Sequence, residues 1–218
     1  MLDFVLFMFF SVIESSALFY FAFKVFKIDL YIKEMIFAGF IMAFFSYTIR
    51  IVYGLDEIDI LVQYLLVFCF LWQLFRIHIF YAAIMTGMAY QTYMLIQSLV
   101  YLILNRTLIT TLHVPTNSIR TYFLQCLSAL LVFSIAFYVG KKRKGFDFIP
   151  DKPDGKINIS RSEKILFTLS FPSITMVVLM LYLFNNTSPY FSLMPLFYAI
   201  ILYSYLYLSR KKNLGDTI

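Results

Sequence analysis

Few side chains in this sequence can do polar chemistry where they stand, and Glu14, in "FSVIESSALFY", is the first met along the chain. A charged group at the centre of a hydrocarbon layer costs about 2.5 to 3.5 kcal/mol, so it should face other polar groups rather than lipid. Helical spacing supplies Ser11 at i−3, with Ser15 on a neighbouring face. Gln91, flanked by Tyr90 and Tyr93, falls at similar depth in another long apolar run. The expectation is a buried polar cluster of Glu14, Ser11, Ser15, Gln91 and Tyr90. Two chemistries fit it. Glu14 could be a neutral acid hydrogen-bonded to a glutamine as inter-helix glue, or the centre of a proton- or cation-responsive site.

Arg50 is the second charge inside an apolar run, about one turn from its end. It can snorkel toward the interface and meet Asp56, Glu57 or Asp59 of "GLDEID". Its guanidinium fork could instead grip a carboxylate or a peptide carbonyl of a ligand. Gln63 and Gln97 fall at comparable depth, so Arg50, Gln63 and Gln97 are the candidate ligand-binding residues of an outer vestibule.

The elements that must hold these residues follow from composition. The 218 residues are 61% hydrophobic and 14% charged, against roughly 45–50% and 25% in soluble domains. Mean hydropathy is +0.81, and 26 phenylalanines and 17 tyrosines make much of the apolar surface aromatic. Apolar runs near the length that a helix needs to cross a bilayer recur throughout. They predict an all-α, polytopic transmembrane bundle of seven spans at 2–23, 35–53, 58–75, 78–104, 122–140, 165–184 and 191–209, forming one domain over 1–218.

Fifteen of the 18 basic residues then fall in alternate connections: Lys24, Lys27 and Lys33; Arg76; eight in the loop 141–164; and Arg210, Lys211 and Lys212. Because Lys and Arg mark the cytoplasmic side, the expected orientation has the N-terminus outside and the C-terminus in the cytoplasm, in a multi-pass protein of the cell membrane. The loop 141–164 opens with "KKRK" and sets eight basic against four acidic residues. Such a cluster attracts anionic lipid head groups at about 1 kcal/mol per cation, besides fixing topology. Membrane lipid and a protein partner, met through the spans or this loop, are the expected partners; a homo-oligomer is left open.

Several classes are set aside. The net charge of +6 is accounted for by the loops, so nucleic acid is not an expected partner. Cys69 and Cys126 lie in apolar spans and read as small buried hydrophobes, not a disulfide or metal pair. His78 and His113 fall on opposite sides of the expected bilayer, and no HExxH, GxSxG or phosphate loop occurs. No catalytic residue, metal site or cofactor is expected, and the chain does not read as an enzyme. "MLDF" lacks the basic start of a cleavable signal, so the first span is expected to stay.

Local signals refine the spans. "SRSE" has capping-box spacing, with Ser160 placed to accept from the N–H of Glu163. Pro172 removes the bond to the Thr168 carbonyl and predicts a bend. Pro195 sits near a span end, where it is tolerated more easily. Ala83 and Gly87 form a small-xxx-small pair that permits close helix approach.

The stretches "FFSVIESSALFYFAFKVFKID" and "AAIMTGMAYQTYMLIQSLVYLIL" resemble the N-terminal membrane region of peptide-sensing receptor histidine kinases of the accessory-gene-regulator type. The likeness extends to overall length and to the run of aromatic-rich spans. It implies a receptor-like sensor module that binds a small extracellular ligand or peptide. Those receptors continue into a dimerisation helix and an ATP-binding kinase domain, whereas this sequence stops at "SRKKNLGDTI". Its signal would therefore pass to a separate cytoplasmic or membrane partner. The alternatives are a transporter or channel subunit with a protonatable intramembrane Glu14, and a non-catalytic accessory or scaffold subunit of a membrane complex.

Overall fold

A backbone surrounded by hydrocarbon must satisfy its own N–H and C=O groups, and a helix does so within one segment. The computed structural model describes residues 2–107, 119–149, 161–185 and 193–214, and these contain helices and no strand. Helix α1 covers Leu2–Val25. Helix α2, Ile32–Tyr47, runs on through a π-helical turn at Thr48–Val52. Helix α3, Asp56–Cys69, ends in a second π-helical turn at Phe70–Leu74. Then come α4, Ile79–Thr107, and α5, Ile119–Lys141. The chain closes with α6, Arg161–Thr168, α7, Ser170–Asn185, and α8, Met194–Asn213.

Four stretches are long and apolar enough to cross a membrane: Asp3–Val25, Ile32–Val52, Ile79–Leu104 and Thr121–Lys141. They mark the chain as a membrane-embedded protein. Ile58–Leu74 is a shorter apolar helix. The bend expected at Pro172 takes the form of a break at Leu169, between α6 and α7. Without an N–H on Pro172, the helix restarts on the next available bond, Ser173 N–H to the Leu169 carbonyl at 3.2 Å. Ser160 and His113 lie outside the described residues.

Helix α1 is the axis of the packing. It runs beside α5 in the same direction, as Phe10 on Tyr122 (5.1 Å between ring centroids) and Tyr20 on Phe133 (5.4 Å) show. It runs antiparallel to α2, with Phe4 and Phe7 on Tyr47 near one end and Phe23 near Tyr31 at the other. Phe19, Phe23 and Phe26 are buried, and Phe75 from the end of α3 packs on the first two. Phe37, Phe40 and Phe44 of α2 and Phe137 of α5 point outward instead, the apolar exterior that lipid chains accommodate.

The C-terminal ends of α1, α5 and α8 meet the N-terminal ends of α4 and α6 at one end of the bundle. Lys27 pairs with Asp147 at 3.4 Å, and the Asp147 N–H donates to Asn213 Oδ1 at 3.0 Å. Glu163 accepts from the Tyr81 hydroxyl at 3.2 Å and sits 3.6 Å from Lys212 Nζ. Helices α1, α3 and α5 each end at a cation in the left-handed region: Lys27, Arg76 and Arg143, with φ of 52°, 54° and 51°. The turn exposes carbonyls for capping, as in Ile28 N–H to Phe23 O (2.9 Å) and Lys144 N–H to Val139 O (3.2 Å). A cation there also suits the negative end of the helix dipole.

After α5 the chain folds back over the end of α1. Phe146 N–H donates to the Val25 carbonyl at 2.6 Å, and the Phe146 and Phe148 rings cluster with Phe26. Gly145 permits this approach, because a Cβ there would lie 2.6 Å from Val25 O and 2.9 Å from Lys24 O. Both obstacles are backbone and cannot step aside. Gly145→Ala is therefore expected to break the Phe146–Val25 bond at a cost of about 1 to 3 kcal/mol. Thermal melting in detergent, read by the fluorescence of Trp72, would show the drop.

Candidate functional site

Polar groups inside the bundle fall into three centres. In the first, Asp59, 0% exposed in the first turn of α3, accepts from three donors. Ser46 Oγ reaches it at 2.9 Å, Arg50 Nε at 2.5 Å and Gln63 Nε2 at 3.2 Å. Gln63 also donates to the Met42 carbonyl at 3.0 Å, so it ties α3 to α2 twice. Arg50 stands in the π-helical turn that ends α2, a kind of helix defect common at functional sites. Its side chain keeps 29% exposure while Asp59 keeps none. Of the three acids offered by "GLDEID", the arginine takes Asp59.

In the second centre, Glu14 is half-buried in the middle of α1. Ser15 Oγ, on the next residue, donates back to the Ser11 carbonyl at 2.9 Å. The side chains that come toward the Glu14 carboxyl are Tyr93 from α4 and Gln125 from α5. Tyr93 Oη and Gln125 Oε1 are both left without a partner. Ser128 Oγ, one turn further along α5, is fully buried and likewise unpartnered. Arg50 and Asp59 lie beyond, within electrostatic reach. Glu14 closes no ion pair among the described residues.

The third centre joins α4, α7 and α8. Gln91 Nε2 donates to Ser173 Oγ at 2.9 Å and to the Ser173 carbonyl at 3.2 Å, leaving Gln91 Oε1 unpartnered. Ser170 Oγ donates to the Ala83 carbonyl at 3.3 Å and receives the Tyr205 hydroxyl at 3.4 Å. Gly87, the second member of the small-xxx-small pair, faces the end of the Tyr205 side chain. Tyr90 donates to the Ile60 carbonyl at 3.0 Å and packs edge-on against Tyr64.

The residues expected to share one site thus divide. Glu14, Ser11 and Ser15 belong together on α1, while Gln91 bonds to Ser173 and Tyr90 to α3. Arg50 and Gln63 converge on Asp59; Gln97, half-buried on α4, is not among the groups bonded to it. Asp59 as a hub, and Tyr93, Gln125 and Ser128 around Glu14, were not among the expected site residues. A signal did exist for two of them: Gln125 and Ser128 stand three apart in "LQCLSAL", on one helix face.

Among the described residues no three of His, Cys, Asp and Glu gather as metal ligands, and Cys69 and Cys126 are free thiols. His78 Nδ1 accepts the Phe80 N–H at 3.3 Å, a cap on the start of α4.

Removing one member of the Asp59 pair strands the other. Asp59→Asn is expected to cost about 2 to 4 kcal/mol, the lower part of the range for buried pairs because Arg50 is partly exposed. The double variant Arg50→Met with Asp59→Leu should lose less than Asp59→Asn alone. Unfolding by SDS titration would compare them. No protein-family model, no curated protein and no solved structure matches this chain.

Proposed function

We propose that this chain is a receptor-like sensor module of the cell membrane, taking a small extracellular ligand or peptide near Arg50 and passing a helix shift to a separate partner at the opposite, basic end. The observation that carries the reading is the α1–α5 pair. The two helices run side by side from Phe10 and Tyr122 down to Lys24, whose aliphatic stem lies on Gly140. At one end this pair meets the charged groups of α2 and α3, through Glu14 and its reach to Arg50 and Asp59. At the other it meets the Gly145–Phe146 turn, which grips the last carbonyls of α1.

A ligand carboxylate or carbonyl that competes with Asp59 for the guanidinium would loosen α2 from α3, since Arg50, Ser46 and Gln63 all make that junction. Differential contact of this kind is what lets a ligand shift an equilibrium between two states. The basic end would then face the cytoplasm, with Lys141, Lys142, Arg143 and Lys144 beside the turn that reports the shift. A transporter or channel subunit is the second reading, favoured by the accessible surface that Glu14 retains and the unpartnered groups around it.

The test places a reporter thiol at exposed Lys142, Lys142→Cys, in a chain carrying Cys69→Ala and Cys126→Ser. A membrane-impermeant maleimide should label it only after the cells are permeabilised. Peptides concentrated from medium conditioned by the source cells should change the labelling rate in the parent. They should leave it unchanged in Arg50→Lys, which keeps the charge on Asp59 but loses the fork. Labelling of intact cells, or an unaltered rate in the parent, would overturn the proposal.

A further inference from the structure

Glu14 and Asp59 are both carboxylates within the bundle, yet only Asp59 is held by an ion pair and three hydrogen bonds. Its three bonds come from Ser46, Arg50 Nε and Gln63. Around Glu14 the Tyr93 hydroxyl and the Gln125 amide come toward the carboxyl, and each carries an oxygen that has no partner. Gln125, 5% exposed, can turn its amide N–H to the carboxylate, which leaves its acceptor Oε1 unpartnered. Tyr93 Oη, in a residue 3% exposed, can donate to the carboxylate and still offer a lone pair. Ser128 Oγ, in a residue 0% exposed, adds a further free oxygen.

The register between the helices brings these groups to one level. Phe10 stacks on Tyr122 and Tyr20 packs on Phe133, so Glu14 falls opposite the Gln125–Ser128 turn of α5. Both Tyr93 and Gln125 are directed at the Glu14 carboxyl. A buried polar group without a partner loses the desolvation free energy of that group, and three beside a carboxylate compound the loss. A ligand that accepts lone pairs from all of them removes it. One carboxylate among neutral oxygens balances a single positive charge. Divalent ions in all-protein sites call for more acidic ligands, and no such group occurs among the described residues.

We propose that Glu14, Tyr93 and Gln125, with Ser128 one turn along α5, form a binding site for a small monovalent cation, an alkali ion or ammonium, bridging α1, α4 and α5. Glu14 is not fully closed off by its neighbours, and an ion would enter along that partly open side. Bound there, the cation draws α5 and α4 onto the axial helix at mid-depth, and so stabilises one packing of the bundle. The site lies within electrostatic reach of Arg50, but none of the three bonds of the Asp59 junction involves it, so loss of the salt response and loss of the ligand response are separately readable.

The experiment melts the purified full chain in mild detergent, followed by Trp72 fluorescence. Choline chloride is replaced at constant ionic strength by LiCl, NaCl, KCl or NH4Cl. At least one of these salts should raise the melting temperature saturably over choline, and Glu14→Gln should abolish the rise. Tyr93→Phe and Gln125→Leu should each increase the half-saturating salt concentration by about tenfold, the loss expected for one bond to a charged partner. A parent protein indifferent to all four salts would overturn the proposal in favour of a neutral Glu14 that merely glues helices. So would a salt response that survives in Glu14→Gln. Should Glu14→Gln fail to fold, an unshifted half-saturation in both Tyr93→Phe and Gln125→Leu would overturn it equally.

Discussion

Asp59 and its three donors set the constraint from which much of the remaining structure follows. In a bilayer core no water can complete a half-satisfied polar group, so each one must find its partner on another helix or destabilise the bundle. Asp59 solves this completely: a hydroxyl, a guanidinium and an amide from two helices converge on one carboxylate. The solution fixes how α2 leaves the bundle and how α3 enters it. Arg50 has to arrive from the π-helical turn, where one extra residue per turn shifts the direction of the side chains that follow. The first turn of α3 supplies the positive end of a helix dipole to the same carboxylate.

The same constraint explains why the opposite end is built differently. There the chain emerges toward lipid head groups and water, and cations can close helices in the left-handed region at Lys27, Arg76 and Arg143. A non-glycine residue in that conformation is disfavoured by roughly 1 kcal/mol or more, but each one delivers a capping turn and a positive charge to a helix C-terminus. Gly145 then makes room for the strap that follows α5 to lie directly on the end of α1. Charge, helix ends and loop packing are thus one feature. The basic residues are placed by the cap geometry as well as by their preference for a membrane surface.

How far the sequence discloses this depends on which dimension is asked about. Depth along a helix axis is legible: apolar runs gave the helices, Pro172 marked the α6–α7 break, and Gln91 is fully buried while Glu14 and Arg50 are partly so. Direction around the axis is much less so. Gln91 and Tyr93 are two residues apart, which on a helix is a rotation of about 200°, so they look into different interfaces. Gln91 therefore bonds to Ser173 on α7, while Tyr93 comes to Glu14. Depth alone pairs the wrong one with the acid. The π-helical turns are illegible for a related reason, since an extra residue in a turn leaves no trace in composition yet rotates everything after it. Asp56, Glu57 and Asp59 look equivalent on paper, and the one chosen is decided by where that rotation leaves Arg50.

Glu14 and Asp59 finally show why two acids of the same interior need not share a role. A carboxylate whose donors are all side chains of adjacent helices is a fastener: any change in its surroundings breaks bonds that nothing replaces. A carboxylate approached by a hydroxyl and an amide whose oxygens lack partners is not closed in this way, and on the proposal above its stability would depend on what diffuses in. Placed on α1, between the Asp59 junction and the strap over Val25, the second kind of group acts on the helix that touches both ends. Occupancy at Glu14 would set how firmly α4 and α5 hold that helix, and hence how much of any strain at Arg50 reaches the basic end. The fastener gives the bundle its shape, and the cation proposed at Glu14 would give that shape something to respond to.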